Sequence, residues 1–167
     1  MDLDELITRE AVRDLIARYN ANADTGRFDQ VVELFAPDAV IELPGEVHEG
    51  RAAIEAMFRS VRDRVVDGSS GRRRKRRLLR RAGKADLAGT PDDVTPHLRH
   101  FTSTLKIDVD DADHARSRCY FAVLMPHGLD HWGRYVDDFV RTDGGWRFAR
   151  RRVTTDGHRA GGSALGA

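Results

Sequence analysis

Cysteine is nearly absent from this 167-residue chain: Cys119 stands alone, so no intramolecular disulfide can form and no cage of cysteine ligands can be built. Long hydrophobic runs are missing as well, and no stretch approaches the roughly 18 apolar residues that a membrane-spanning helix requires. The opening Met1-Asp2-Leu3-Asp4-Glu5 is acidic and lacks the basic start and apolar run of a signal peptide. No glycine-rich loop precedes a helical pattern, which excludes the usual phosphate-cradling motif and with it a nucleotide cofactor. What remains is the expectation of one cytoplasmic α+β domain, because a chain of this length buries enough apolar surface to fold without staples.

The net charge of +1 hides an asymmetry. Arg72 to Arg81 carries eight basic residues and no acidic one, leaving 20 basic against 27 acidic residues elsewhere. A run of this kind binds nucleic acid or anionic membrane by charge alone, but it lacks interleaved aromatics and an accompanying recognition fold. A solvated loop is therefore preferred, with nucleic acid and membrane set aside as partners.

Hydrophobic spacing sets the order of elements. Val12, Leu15, Ile16, Tyr19 and Ala23 recur at three- and four-residue intervals, predicting a first helix from Leu6 to about Asp24 that Gly26 closes. A second short helix is expected over Phe28 to Phe35, ended by a turn at Ala36-Pro37-Asp38-Ala39. Ala39 to Leu43 and Val47 to Glu49 read as short strands around Pro44-Gly45, and Gly50-Arg51 opens a third helix with Ile54, Met57, Phe58 and Val61 on one face. Residues 66–96 form a basic insertion or loop by pattern, and 158–167 a flexible tail. Between them, Leu98 to Val109, Ala115 to Met125, Trp132 to Arg141 and Trp146 to Thr155 are four strands joined by short connections, hence antiparallel neighbours. Helices followed by a meander argue for a single α+β domain over 1–157.

This order, together with VRDLIARYNANADTGRFDQVVELFAPDAVIELPG at Val12 to Gly45, LRHFTSTLKIDV at Leu98 to Val109 and GRYVDDFVRTDGGWRFARRRV at Gly133 to Val153, resembles the SnoaL-like branch of the nuclear transport factor 2-like superfamily. The resemblance implies a cone-shaped, curled antiparallel sheet enclosing a hydrophobic cavity behind three N-terminal helices. The superfamily contains dehydratases, a dehydrochlorinase, polyketide cyclases, isomerases and non-enzymatic members, so fold alone does not select a reaction. In its dehydratase-like members an aspartate at the end of the first helix holds a histidine of the first long strand, which abstracts a proton. Those positions fall on Asp24 and His100. A tyrosine five residues before the aspartate is matched by Tyr19, and an arginine of the last strand falls on Arg151, with Arg150 and Arg152 beside it.

The chemistry of these residues suits that role. A neutral imidazole takes a proton near physiological pH, and a carboxylate beside it fixes the tautomer and balances the charge that forms. Tyr19 is on the core-facing stripe and could polarise a carbonyl, Arg151 could support developing negative charge, and Phe121, Val123, Tyr135 and His131 could line the cavity. Each has a plainer reading: Asp24 as a helix-end carboxylate, Tyr19 as a core aromatic, Arg151 as a surface or interface arginine. Strand parity leaves His100 open. It shares a face with Leu98, Thr102 and Thr104, whereas Phe101, Leu105, Ile107 and Val109 look like the core face, and only a bulge brings His100 inside.

His97, His127, His131 and His158 invite a metal reading, but His97 and His100 fall on opposite faces of a strand, which is wrong for joint ligation, and metal is not expected. The expected function is a cofactor-independent dehydratase-type lyase acting on a hydrophobic polycyclic, aromatic or polyketide-like carbonyl compound. The alternatives are a cyclase or isomerase using the same dyad, or a non-catalytic small-ligand-binding module. A homodimer is expected, with a trimer as the alternative.

Overall fold

The computed structural model describes residues 1–61 and 98–160, so the basic run and the whole 66–96 insertion lie outside the described residues. Helix α1 (Leu3–Asp24) begins where Asp2 caps it, its side chain accepting from the Glu5 amide at 2.8 Å. It ends at Gly26, whose φ of 72° is the left-handed conformation that closes a helix cheaply only in glycine. Helix α2 (Phe28–Val32) follows, then strands β1 (Phe35–Leu43) and β2 (Glu46–Glu49), and helix α3 over residues 51–61. Strands β3 (Arg99–Val109), β4 (His114–Met125), β5 (Gly128–Thr142) and β6 (Gly145–His158) complete the chain.

Three expectations change. The second helix stops at Val32, and Phe35 and Pro37 belong to β1. The proline is tolerated there because the pairing of β1 with β6 breaks between Phe35 and Val40, where no ladder donor is needed. The sheet, ordered β2-β1-β6-β5-β4-β3, is mixed rather than wholly antiparallel, since β1 runs parallel to β6. The last strand also reaches further than its composition suggests: His158 pairs with His131 and belongs to β6, while 161–167 of the expected tail lie outside the described residues.

One face of this curled sheet is packed under the helices. Val12, Leu15, Ile16 and Tyr19 of α1, Ile54, Met57 and Phe58 of α3, and Phe35, Phe139 and Phe148 of the sheet form the main core. Along the same face, Cys119, Phe121, Val123 and Tyr135 form a second apolar cluster. Strand β4 shows why: Ala115, Ser117, Cys119, Phe121 and Val123 alternate inward, while Arg116, Arg118 and Tyr120 point out. The outer face carries Phe101, Tyr120, Trp132 and Val136, each at least 40% exposed. Among the described residues no helix is long and apolar enough to cross a membrane.

Candidate active site

Asp24 is the last residue of α1, and it meets the first residues of β3. One carboxylate oxygen accepts from the His100 backbone amide at 3.0 Å, and the other lies 2.6 Å from Nδ1 of the His100 ring. A carboxylate at this end opposes the helix dipole, and no basic side chain occupies the last turn to offset it. Two hydrogen bonds to one residue supply the compensation, one of them fixing the backbone and the other the ring. With Nδ1 donating to Asp24, the ring presents Nε2 outward from the pair. Their side chains are 10% and 16% exposed, so the pair is sheltered but reachable.

His100 faces inward because β3 contains a bulge. Its register against β4 breaks between Ser103 and Lys106, so that two residues oppose Cys119. Thr104 there has φ 53°, an unusual conformation for a β-branched side chain that costs on the order of 1–3 kcal/mol. Below the break Ile107 is buried, and above it the parity has switched, so His100 pairs with the inward Val123 while Phe101 is 57% exposed. The irregularity resolves the two faces that strand alternation left in conflict.

The imidazole rests beside the second apolar cluster. Phe121 lies 6.4 Å from the His100 ring and stacks on Tyr135 at 4.5 Å. Phe121 has room to lie flat only because its partner across the strands is Gly133: a Cβ there would come within 1.9 Å of the Thr154 carbonyl oxygen and 2.9 Å of the Phe121 ring. Val123 is fully buried between β3 and β5. Burial pushes the Tyr135 hydroxyl well above its ordinary range.

Arg151 is neither a surface nor an interface arginine. It is fully buried and paired with equally buried Asp137, directly across β5 and β6, through two 2.8 Å hydrogen bonds from Nε and Nη2. Burial alone would disfavour its charge, but the Asp137 carboxylate outweighs that and keeps the guanidinium protonated. Its plane is surrounded by aromatic faces, 4.0 Å from the Tyr19 centroid, 4.4 Å from Tyr135 and 4.3 Å from Phe148. Nη1 is buried with no hydrogen-bond partner. Arg150 and Arg152 point the other way, both bonding Glu42.

Tyr19 belongs to the main core, packing edge-on against Phe35, Phe58 and Phe148. Burial raises its hydroxyl above the usual range, partly opposed by Arg151 beside it. It thus joins Arg151 rather than contacting the His100 ring. His131 is 8% exposed and its Nδ1 lies 2.8 Å from the Asp130 carboxylate. Asp130 and Asp137 were not singled out from the sequence. Asp137 could have been, since it shares parity with Tyr135 and His131, and an acid on that face demands a basic partner. Among the described residues no group of three or more His, Cys, Asp or Glu is arranged to hold a metal ion.

Comparison with known proteins agrees with this architecture. A family model described as a SnoaL-like domain matches residues 4–152. Among solved structures, an NTF2-like protein with a cystatin-like fold from Novosphingobium aromaticivorans is 28% identical, with 96% of this chain and 89% of that one covered and a TM-score of 0.63. A second structure from the same organism, described as a "Putative Scytalone Dehydratase", is 18% identical over 100% and 99% of the two chains, TM-score 0.65. A protein of unknown function from Mycobacterium tuberculosis is 24% identical over 90% and 77%, TM-score 0.65. No curated protein matches the sequence.

Proposed function

This chain belongs to the SnoaL-like domain family, and from that footing we propose that it is a cofactor-independent dehydratase-type lyase acting on a hydrophobic carbonyl compound of polycyclic, aromatic or polyketide-like character. The observation that carries the reading is the 2.6 Å contact between His100 and Asp24 beside the Phe121 ring. In this mechanism Nε2 of His100 removes the proton α to the carbonyl. Asp24 holds the ring in the required tautomer and balances the positive charge it gains. The electron pair left on carbon is delocalised onto the carbonyl oxygen as an enolate. Arg151, sealed between Tyr19, Tyr135 and Phe148 and paired with Asp137, makes no direct bond to that oxygen; its role is to hold the aromatic wall behind the site in place. Collapse of the enolate breaks the β C–O bond, and the departing hydroxyl takes a proton from an acid of the site to leave as water. Ring closure or double-bond migration from the same enolate would make the protein a cyclase or isomerase, and the residues named serve all three.

The test uses a β-hydroxytetralone, a bicyclic β-hydroxy ketone whose dehydration yields a naphthol. His100→Ala and Asp24→Asn are each expected to lower the rate by 10²-fold or more, the usual scale of a lost acid–base group, with unchanged far-ultraviolet circular dichroism. Wild-type activity in both variants would refute the His100–Asp24 mechanism, and a wild-type chain that binds the ketone without dehydrating it would leave a ligand-binding module as the better description.

A further inference from the structure

A second bulge sits on β5. Its register with β4 slips between Val123 and Leu124, which pair with His131 and Leu129 and leave Asp130 as the extra residue. Asp130 and His131 are consecutive, yet both are buried, 0% and 8% exposed, which regular strand alternation does not permit. The bulge therefore turns a carboxylate and an imidazole onto the same side. Asp130 lies 2.8 Å from Nδ1 of His131 and, through its other oxygen, 2.8 Å from Nε2 of His127 in the preceding turn. Its backbone carbonyl accepts from the Arg159 amide at 2.7 Å, tying the turn to the end of β6.

This arrangement repeats the one at His100. His100 and His131 both pair with Val123, one from each side, so the two rings rise from the same sheet face with a single strand between them. At about 4.8 Å per strand their backbones stand about 10 Å apart. Phe121 lies between the rings, 6.4 Å from one and 6.0 Å from the other. Each ring commits Nδ1 to a carboxylate, partly sheltered at Asp24 and fully buried at Asp130, and leaves Nε2 for the substrate.

We propose that His131 is the catalytic acid that completes the site, donating a proton to the leaving oxygen while His100 acts as base. The proposal rests on the lyase reading and adds to it a substrate class: a compound bridging two imidazoles over an aromatic floor, with its acidic C–H and its leaving hydroxyl on adjacent carbons. The α-proton passes to Nε2 of His100, and the C–H electrons form the enolate. As the carbonyl re-forms, that pair becomes the carbon–carbon double bond and the C–O bond breaks; His131 enters this step as an imidazolium, Nδ1–H held by Asp130, and the hydroxyl takes its Nε2 proton to leave as water. His100 then carries the extra proton and His131 lacks one. Exchange with solvent restores both, since neither side chain is sealed, at 16% and 10% exposed.

The experiment compares β-hydroxytetralone dehydration with exchange of its α-proton into heavy water. His131→Gln is expected to lose dehydration by 10²-fold or more while still catalysing exchange, and His100→Gln to lose both. Dehydration by His131→Gln at the wild-type rate overturns this inference and leaves the lyase reading standing. Neither dehydration nor exchange by the wild-type chain overturns both. Should His131→Gln fail to fold, naphthol titrated into wild-type protein carrying nitrogen-15 histidine decides instead. Shifts at Nε2 of both His100 and His131 support the proposal, a shift at His100 alone refutes it, and no shift at either refutes the site as a whole.

Discussion

Replacing Asp137 with Asn leaves Arg151 charged in an environment where the structure gives it no other carboxylate. Both side chains are 0% exposed, so water cannot take over the lost interaction. Breaking a buried pair from one side costs about 3–5 kcal/mol, because the remaining charge is stranded. For a domain of this size each kcal/mol moves the melting temperature by about 2–4 °C, so Asp137→Asn should melt roughly 6–20 °C lower. Arg151→Met should fall by a similar amount, since it strands the carboxylate while keeping much of the apolar contact with Tyr19, Tyr135 and Phe148. The double variant Asp137→Leu with Arg151→Met removes both charges and should recover most of the loss, giving a coupling of at least about 2 kcal/mol. Thermal and urea unfolding followed by circular dichroism measure all three. Single variants within about 1 kcal/mol of wild type, or a double variant as weak as the sum of the singles, would show that the pair is hydrated and not a sealed ion pair.

Gly133→Ala forces a Cβ against the Thr154 carbonyl and the Phe121 ring; it is expected to lose about 1–3 kcal/mol in urea unfolding, and wild-type stability would contradict the packing described. Burial pushes the Cys119 thiol up to about 11 and raises the Tyr19 and Tyr135 hydroxyls. Their folded values exceed the unfolded ones, so the thiol's contribution is complete below about pH 8.5 and is lost as the pH rises toward 11, while that of the two hydroxyls is complete up to about pH 10 and is lost only above it. The urea midpoint should fall over that range, and less steeply in Cys119→Ala; identical pH profiles would count against a desolvated thiol.

Much of the fold was legible because amphipathic spacing and turn residues are local signals. Val12 to Tyr19 mark one helix stripe, Gly26 its end, and the glycines and aspartates between the long strands their turns. The parallel contact of β1 with β6 was not legible, since it joins segments more than a hundred residues apart and depends on the whole sheet closing. The site divides the same way. Asp24 and His100 come from the family resemblance, but the orientation of His100 depends on the bulge at Thr104, a threonine in a left-handed conformation that no propensity announces. Asp130 was hidden for the same reason: on an unbroken strand it would point away from His131. Arg151 drew attention, yet its partner Asp137 appears only once β5 and β6 are in register.

The proposed chemistry requires His100 to donate Nδ1–H to Asp24 in a sheltered pair, and proton nuclear magnetic resonance of the imidazole N–H reads that bond itself. A slowly exchanging, strongly downfield Nδ1–H signal assigned to His100 is expected in the wild-type chain and should vanish or move upfield in Asp24→Asn. A His100 ring whose N–H exchanges as fast as that of an exposed histidine, unaffected by Asp24→Asn, would contradict the account.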